Sequence, residues 1–155
     1  MAGIDIQSIQ DAKDAINEEK VAHSDFMRVH MNGEVFFVAV DDVASVVRPS
    51  IVTPVPMAPD HLIGVTNIRG QISCIIDAGK VLNLKKAVQA KTKQTRFLLL
   101  RHERMHLGIW VESVADLLSI PTKDVPEDKG EKHIKGHLNI AGEDIPVLRT
   151  NALLD

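Results

Sequence analysis

A chain of 155 residues with 45% hydrophobic side chains can bury the core of one ordinary domain or of two very small ones. Its net charge of −3, with no basic excess, argues against a surface that tracks nucleic-acid phosphates. The single Cys74 excludes an intramolecular disulfide framework, and neither a leader pattern nor an apolar run of spanning length is present, so a cytoplasmic protein without direct membrane insertion is expected.

Residues 1–25 read as an N-terminal arm. Ile6, Ile9 and Ile16 stand at roughly helical spacing among polar residues, which predicts a weak helix or a disordered segment. From Phe26 the pattern changes: "FMRVHMNGEVFFVAV" places Asn32-Gly33 between two strand-like runs, a hairpin signal because both central turn residues must accept positive φ. Further strands are predicted at 43–48, 62–68, 71–76, 96–102, 106–111, 115–120, 134–140 and 144–148, with short helical turns at 78–84 and 149–154. "IVTPVPMAP", 51–59, must run extended through its prolines and fits a crossing between strands, and 85–95 is a polar connector. Many short strands and little sustained helical period make the fold class all-β with short helices.

The sequence also repeats itself. "HLIGVTNIRG", 61–70, lies over "HIKGHLNIAG", 133–142, at an offset of 72, and "VAVDDVASVV", 38–47, lies over "IWVESVADLL", 109–118, at an offset of 71. A duplication of strand-rich halves, approximately 26–85 and 96–150, fits a chain this short as two small barrels sharing one core within a single domain, 26–154, with the halves either exchanging strands or packing across that core.

Candidate chemistry is sparse. His102/His106 and His133/His137 are spaced i, i+4, which converges on one ion only on a helix; along a strand the side chains lie roughly 13 Å apart, so no metal is expected. Cys74 in "ISCIID" reads as a buried core thiol rather than a nucleophile. No nucleophile elbow, phosphate loop or zinc-protease motif appears, so neither enzyme activity nor a cofactor is expected. Alternation sets Trp110 on the face opposite Ile109 and Val111. In the repeat, Gly64, Asn67, Ile68 and Gly70 recur as Gly136, Asn139, Ile140 and Gly142, whereas Arg69 becomes Ala141. A turn that tolerates alanine does not need arginine. Arg69 is therefore either a neutral surface choice or a contact to something outside its own half, and a guanidinium suits bidentate carboxylate recognition.

With "IVTPVP", "GVTNIRGQISCIID" and "LGIWVESVADLLSIP", the chain from about Phe26 to Leu154 resembles the CheW family of chemosensory coupling proteins. The resemblance implies two small five-stranded β-barrel subdomains sharing a hydrophobic core. It implies a non-enzymatic adaptor that binds the regulatory domain of a CheA-type histidine kinase and the cytoplasmic hairpin tip of chemoreceptors, recruited to membrane-associated receptor arrays. Gly64, Asn67, Arg69 and Gly70 then fall on the signature turn, and Val43 and Ser45 on the strand lining the receptor-facing groove. Ser45 stands where better known members have a glutamate, Cys74 replaces a common proline, and "DAGKVL" replaces Asp-Leu-Arg. A type IV pilus signalling system is the alternative pathway. A small-ligand-binding barrel or an enzyme is the alternative class, and it would show a closed pocket of convergent polar groups.

Overall fold

The computed structural model describes residues 6–10 and 21–154. Residues 6–10 are helical, and the rest of the expected arm up to residue 20 lies outside the described residues. Ten strands follow: β1 (His23–Met31), β2 (Glu34–Ala39), β3 (Val43–Val47), β4 (Leu62–Ile68), β5 (Gln71–Ile76), β6 (Arg96–Leu100), β7 (Leu107–Val111), β8 (Ser113–Pro121), β9 (Ile134–Ile140) and β10 (Glu143–Leu148). The expected turns of helix are the four-residue helix Ala78–Val81 and the 3-10 turn Thr150–Ala152. Strand β1 begins at His23 rather than Phe26 because β8 runs to Pro121 and pairs with it, His23 opposite Pro121.

The strands form two five-stranded sheets, ordered β8-β1-β2-β10-β9 (sheet 1) and β3-β6-β7-β5-β4 (sheet 2). Moving every strand five places along the chain converts one order into the other. The parallel contacts match as well, β2 with β10 and β5 with β7. So do the bulges, where one residue is skipped on one strand of a pair: Ala44 in β3 matches Ala115 in β8, and Ile63 in β4 matches Lys135 in β9. These spacings are 71 and 72, the offsets of the sequence repeat.

The sheets divide the chain differently from 26–85 and 96–150. Strands β1 and β2 join β8 to β10, while β6 and β7 join β3 to β5, so each half lends strands to both sheets. The cause is in the ladders: β1 pairs with β8 over eight positions and β3 pairs with β6, ties that cross between the halves.

A shared core fills the space between the sheets. Met27, Val29, Met31, Phe36 and Val38 meet Val43, Ile76, Leu98, Leu100, Ile109 and Val111 there. Period-two alternation turns the remaining residues of each strand to the far face. On sheet 1 that far face holds a second apolar cluster, Phe26, Phe37, Leu138, Ile145 and Val147. At the repeat-equivalent positions sheet 2 carries Phe97, Gly108, Thr66, Ser73 and Ile75, all buried. Trp110 lies on this far face beside Phe97, with ring centroids 5.5 Å apart. It therefore packs within its own sheet.

The chain after β3 closes onto β4. Thr53 exchanges both backbone hydrogen bonds with Val65, at 2.8 and 2.9 Å, and the Thr66 hydroxyl donates to the Ile51 carbonyl at 2.7 Å. The proline-rich crossing thus lies along the outer edge of sheet 2 at Thr53, but it does not stay extended as expected: it turns over residues 55–58, where Met57 has φ 61 and the Ala58 N–H donates to the Val55 carbonyl at 3.3 Å.

Candidate partner-binding site

The hairpin β4–β5 turns on two residues, Arg69 (φ 53) and Gly70 (φ 84), both in the left-handed region that a two-residue turn of this hand requires. Glycine accepts that region freely and arginine does so at some cost. The Asn67 side-chain oxygen accepts a hydrogen bond from the Gly70 N–H at 2.9 Å, which ties the turn to the end of β4. Ala141 (φ 52) and Gly142 (φ 84) repeat the geometry between β9 and β10. The backbone of the turn is indifferent to the side chain at its first position.

Arg69 is exposed, and among the described residues it makes neither a hydrogen bond nor an ion pair. It stands at a recess of about 210 Å³ lined by Ser45, Ile68, Gln71, Ser73, Leu99 and His106 together with Ala44, Leu100 and Leu107. No carboxylate lines it. The structure thus brings Arg69 and Ser45 to one place, across the interval between β3 and the β4–β5 turn.

The other expected site residues sit elsewhere. Val43 and Ser45 would share a face by simple alternation, but the bulge at Ala44 separates them: Val43 pairs with Leu100 and Ser45 with Leu99, which are neighbours on β6. Val43 is therefore turned into the shared core, 7% exposed, and only Ser45 reaches the recess. Gly64 is buried against the crossing segment, where an added Cβ would lie 2.4 Å from the Thr53 carbonyl oxygen. Asn67 and Gly70 are exposed but shape the turn. Gln71, Ser73 and His106 were not expected here. Residues 69, 71 and 73 alternate along one face, which is the signal that finds the first two; His106 is brought in by the parallel pairing of β5 with β7, and its carbonyl accepts from the Cys74 N–H at 2.9 Å.

Among the described residues no three His, Cys, Asp or Glu side chains gather where they could hold one ion. His102 Nδ1 instead accepts from the Arg104 and Met105 N–H groups at 3.1 and 3.2 Å, which organises the β6–β7 turn. Among the described residues a perturbed acid lies far along the chain, in the loop between β8 and β9. Asp128 is lowered from 3.8 to about 2, chiefly by a hydrogen bond from Arg149, then by the Gly130 N–H. Arg149, raised by the same bond, also donates to the Glu131 carbonyl at 3.0 Å.

Residues 25–155 match the CheW-like domain family. Similar relatives include the chemotaxis protein CheW of Helicobacter pylori, 25% identical over 74% of this chain and 66% of its own length, and that of Rhizobium meliloti, 28% identical over 65% and 68%. The chain thus spans about two thirds of the length of these curated relatives. A crystal structure of the scaffolding protein TtCheW from Thermoanaerobacter tengcongensis superimposes with a TM-score of 0.75 at 19% identity, covering 86% of this chain and 89% of the other, which establishes the common fold.

Proposed function

The chain belongs to the CheW-like domain family, and on that premise we propose that it is a non-enzymatic adaptor of a chemotaxis pathway. It couples the cytoplasmic hairpin tip of a chemoreceptor to the regulatory domain of a CheA-type histidine kinase, in the cytoplasm at membrane-associated receptor arrays. The observation that carries the reading is Arg69. It is an exposed guanidinium on a hydrogen-bonded turn, without an acceptor among the described residues, beside a recess without a carboxylate. Such a group is suited to a carboxylate brought by a partner, where a charge-assisted hydrogen bond contributes roughly 1.5–3 kcal/mol. The recess, at about 210 Å³, falls below the roughly 300–1,000 Å³ of small-molecule pockets and suits one inserted side chain better than a free ligand. Ser45, Gln71, Ser73 and His106 supply its polar rim, and Ile68, Leu99 and Leu107 its apolar lining. Asn67 and Gly70 hold the turn, while Val43 belongs to the shared core and Gly64 to the contact between β4 and the crossing segment.

Titration calorimetry of the folded protein against a receptor tip and, separately, against a kinase regulatory domain tests this. Modest binary affinity, strengthened when receptor and kinase are multivalent, is the expected result. Arg69→Ala should weaken receptor or kinase binding by about tenfold or more, with a stability change below about 1 kcal/mol. Unchanged affinity with a large loss of stability would make Arg69 a structural residue and remove the support.

A further inference from the structure

The charge of this chain is unevenly placed. Seven of its 18 Lys and Arg side chains and none of its 21 Asp and Glu side chains fall in residues 78–102, which leaves the remainder strongly acidic. The fold then adds one more cation to that stretch. The ladder between β3 and β6 ends at the pair Val47 and Phe97, so the next residues, Arg48 and Arg96, stand at the same end of the two strands. With Pro49, Lys91, Thr92 and Lys93 they line a cleft of about 370 Å³ that contains four cationic side chains and no carboxylate.

Like charges set side by side repel, and proteins ordinarily intersperse the opposite sign. Here that compensation is missing: the ion pairs among the described residues are Arg28–Asp116, Lys135–Asp42 and Arg149–Asp128, and none touches the cleft. The scaffold under the cations is nevertheless well ordered. Arg96 donates to the carbonyls of Lys93 at 2.9 Å and Thr95 at 2.7 Å, and the buried Thr95 hydroxyl accepts from the Thr92 N–H at 2.9 Å. The turn that carries Lys91 and Lys93 is thus fixed against the strand that carries Arg96, with the charges already gathered before any ligand arrives.

From this we infer that the cleft between the end of β3 and the start of β6 binds an acidic segment of a partner protein, an extended stretch carrying several carboxylates. Cations spread over Arg48, Lys91, Lys93 and Arg96 match charges spaced along a chain better than a single compact anion. Single-stranded nucleic acid fits less well because it is held largely by stacking on exposed rings. The chain has no tyrosine, and Phe97, the aromatic residue next to the cleft, is fully buried. The inference is independent of the adaptor reading, since it uses neither Arg69 nor the recess.

The test is fluorescence anisotropy with fluorescein-labelled decaglutamate, titrated with the full chain at low ionic strength and again at about 0.15 M salt, where the screening length falls to about 8 Å. Binding that weakens with salt is expected. Arg48→Glu and Lys93→Glu should each reduce affinity by about tenfold or more, whereas Lys123→Glu, an equal charge change at an exposed site outside the cleft, should leave it within about twofold. Arg69→Ala should leave it unchanged, which separates this site from the recess. Absence of decaglutamate binding at low salt overturns the inference. So does an equal loss from Lys123→Glu, which would reduce the effect to net charge, or a loss from Arg69→Ala, which would move the peptide to the recess. Tighter binding of a labelled oligothymidylate than of decaglutamate would give the cleft to nucleic acid and overturn it too.

Discussion

The far face of sheet 1 is a small apolar core, and the far face of sheet 2 is its hollowed counterpart. Where sheet 1 has Val35, Phe37, Leu138 and Ile145, sheet 2 has His106, Gly108, Thr66 and Ser73. Both keep an aromatic pair. In sheet 1 it is Phe26 with Phe37, centroids 6.2 Å apart; in sheet 2 it is Phe97 with Trp110, whose repeat equivalent is Ala39 rather than Phe37. The second ring has moved two residues along its strand, and Ile75 and Leu99 crowd the vacated position at Gly108. Ser73 and His106, polar where sheet 1 is apolar, line the recess beside Arg69. One copy of the design carries packed apolar side chains at these positions, and the other carries polar groups beside a guanidinium that has no partner among the described residues. The difference teaches that the candidate site needs no added element: it differs from its counterpart by side chains on the same scaffold.

The sharpest way to break this contrast is to empty the packed face. Phe37→Ala removes a fully buried ring from sheet 1 and should cost about 3–5 kcal/mol in a denaturant melt, while Ser73→Ala at the edge of the recess in sheet 2 should cost less than about 1 kcal/mol. Comparable losses at both positions would mean that the two faces are equally loaded. A smaller contrast separates the strand edges. Gly64→Ala drives a methyl group to 2.4 Å from the Thr53 carbonyl oxygen and should destabilise by about 1–3 kcal/mol, whereas the matching Gly136→Ala, with nothing nearer than 3.8 Å, should be neutral within about 0.5 kcal/mol. At the turns, Arg69→Ala and Ala141→Arg should each shift stability by less than about 1 kcal/mol, since both backbones already hold the same φ; only the first should alter partner affinity.

The smallest expected effect concerns how each sheet is closed. Sheet 2 is sealed by backbone bonds between Thr53 and Val65, and no bridge of that kind joins the β8–β9 loop to β9. That loop is held instead by the side chain of Arg149, whose repeat equivalent in sheet 2 is Asp77. Because the folded-state carboxyl of Asp128 titrates at about 2 rather than 3.8, its contribution is fully present above about pH 3.8 and is lost as the pH falls through about 2. An NMR titration should show the Asp128 side chain and the Gly130 amide shifting together near pH 2, and Arg149→Met should return the midpoint toward 3.8. The Val65 amide should show no such step.

Much of this fold was legible because its signals are local. Asn32-Gly33 turns with φ of 51 and 77 as a two-residue hairpin demands, and the strands on either side of Arg69-Gly70 and Ala141-Gly142 end where alternation stops. Local pattern reports which face a residue takes, but not which strand lies beside it, so the repeat left exchange and simple packing of the halves both open, and which strands are exchanged was not legible. Bulges defeat it in a second way. The family resemblance sets Val43 with Ser45 on the groove strand, and alternation would keep them on one face, but the extra residue Ala44 sends Val43 to the opposite face. The bulge at Ala115 likewise hid the first residues of β8, which begins at Ser113 rather than 115. Arg69 stood out in the sequence because the repeat supplied its own control in Ala141. The cationic cleft did not, since Arg48 and Arg96 come together only through the β3–β6 ladder.

The lending of strands between halves also dictates an order of events at the ribosome. Phe26 pairs with Leu118, and Phe37 with Val147, so sheet 1 joins residues separated by most of the chain. Contacts so distant in sequence slow folding, because the loop must be closed before the pairing can stabilise it. A nascent chain leaves the outer face of the β1–β2 hairpin, with Phe37, without its partners Leu138, Ile145 and Val147 until β9 and β10 have been made. The strand that pairs beside the first hairpin is thus the tenth of the ten described strands, and sheet 1 closes only after the other nine have been made.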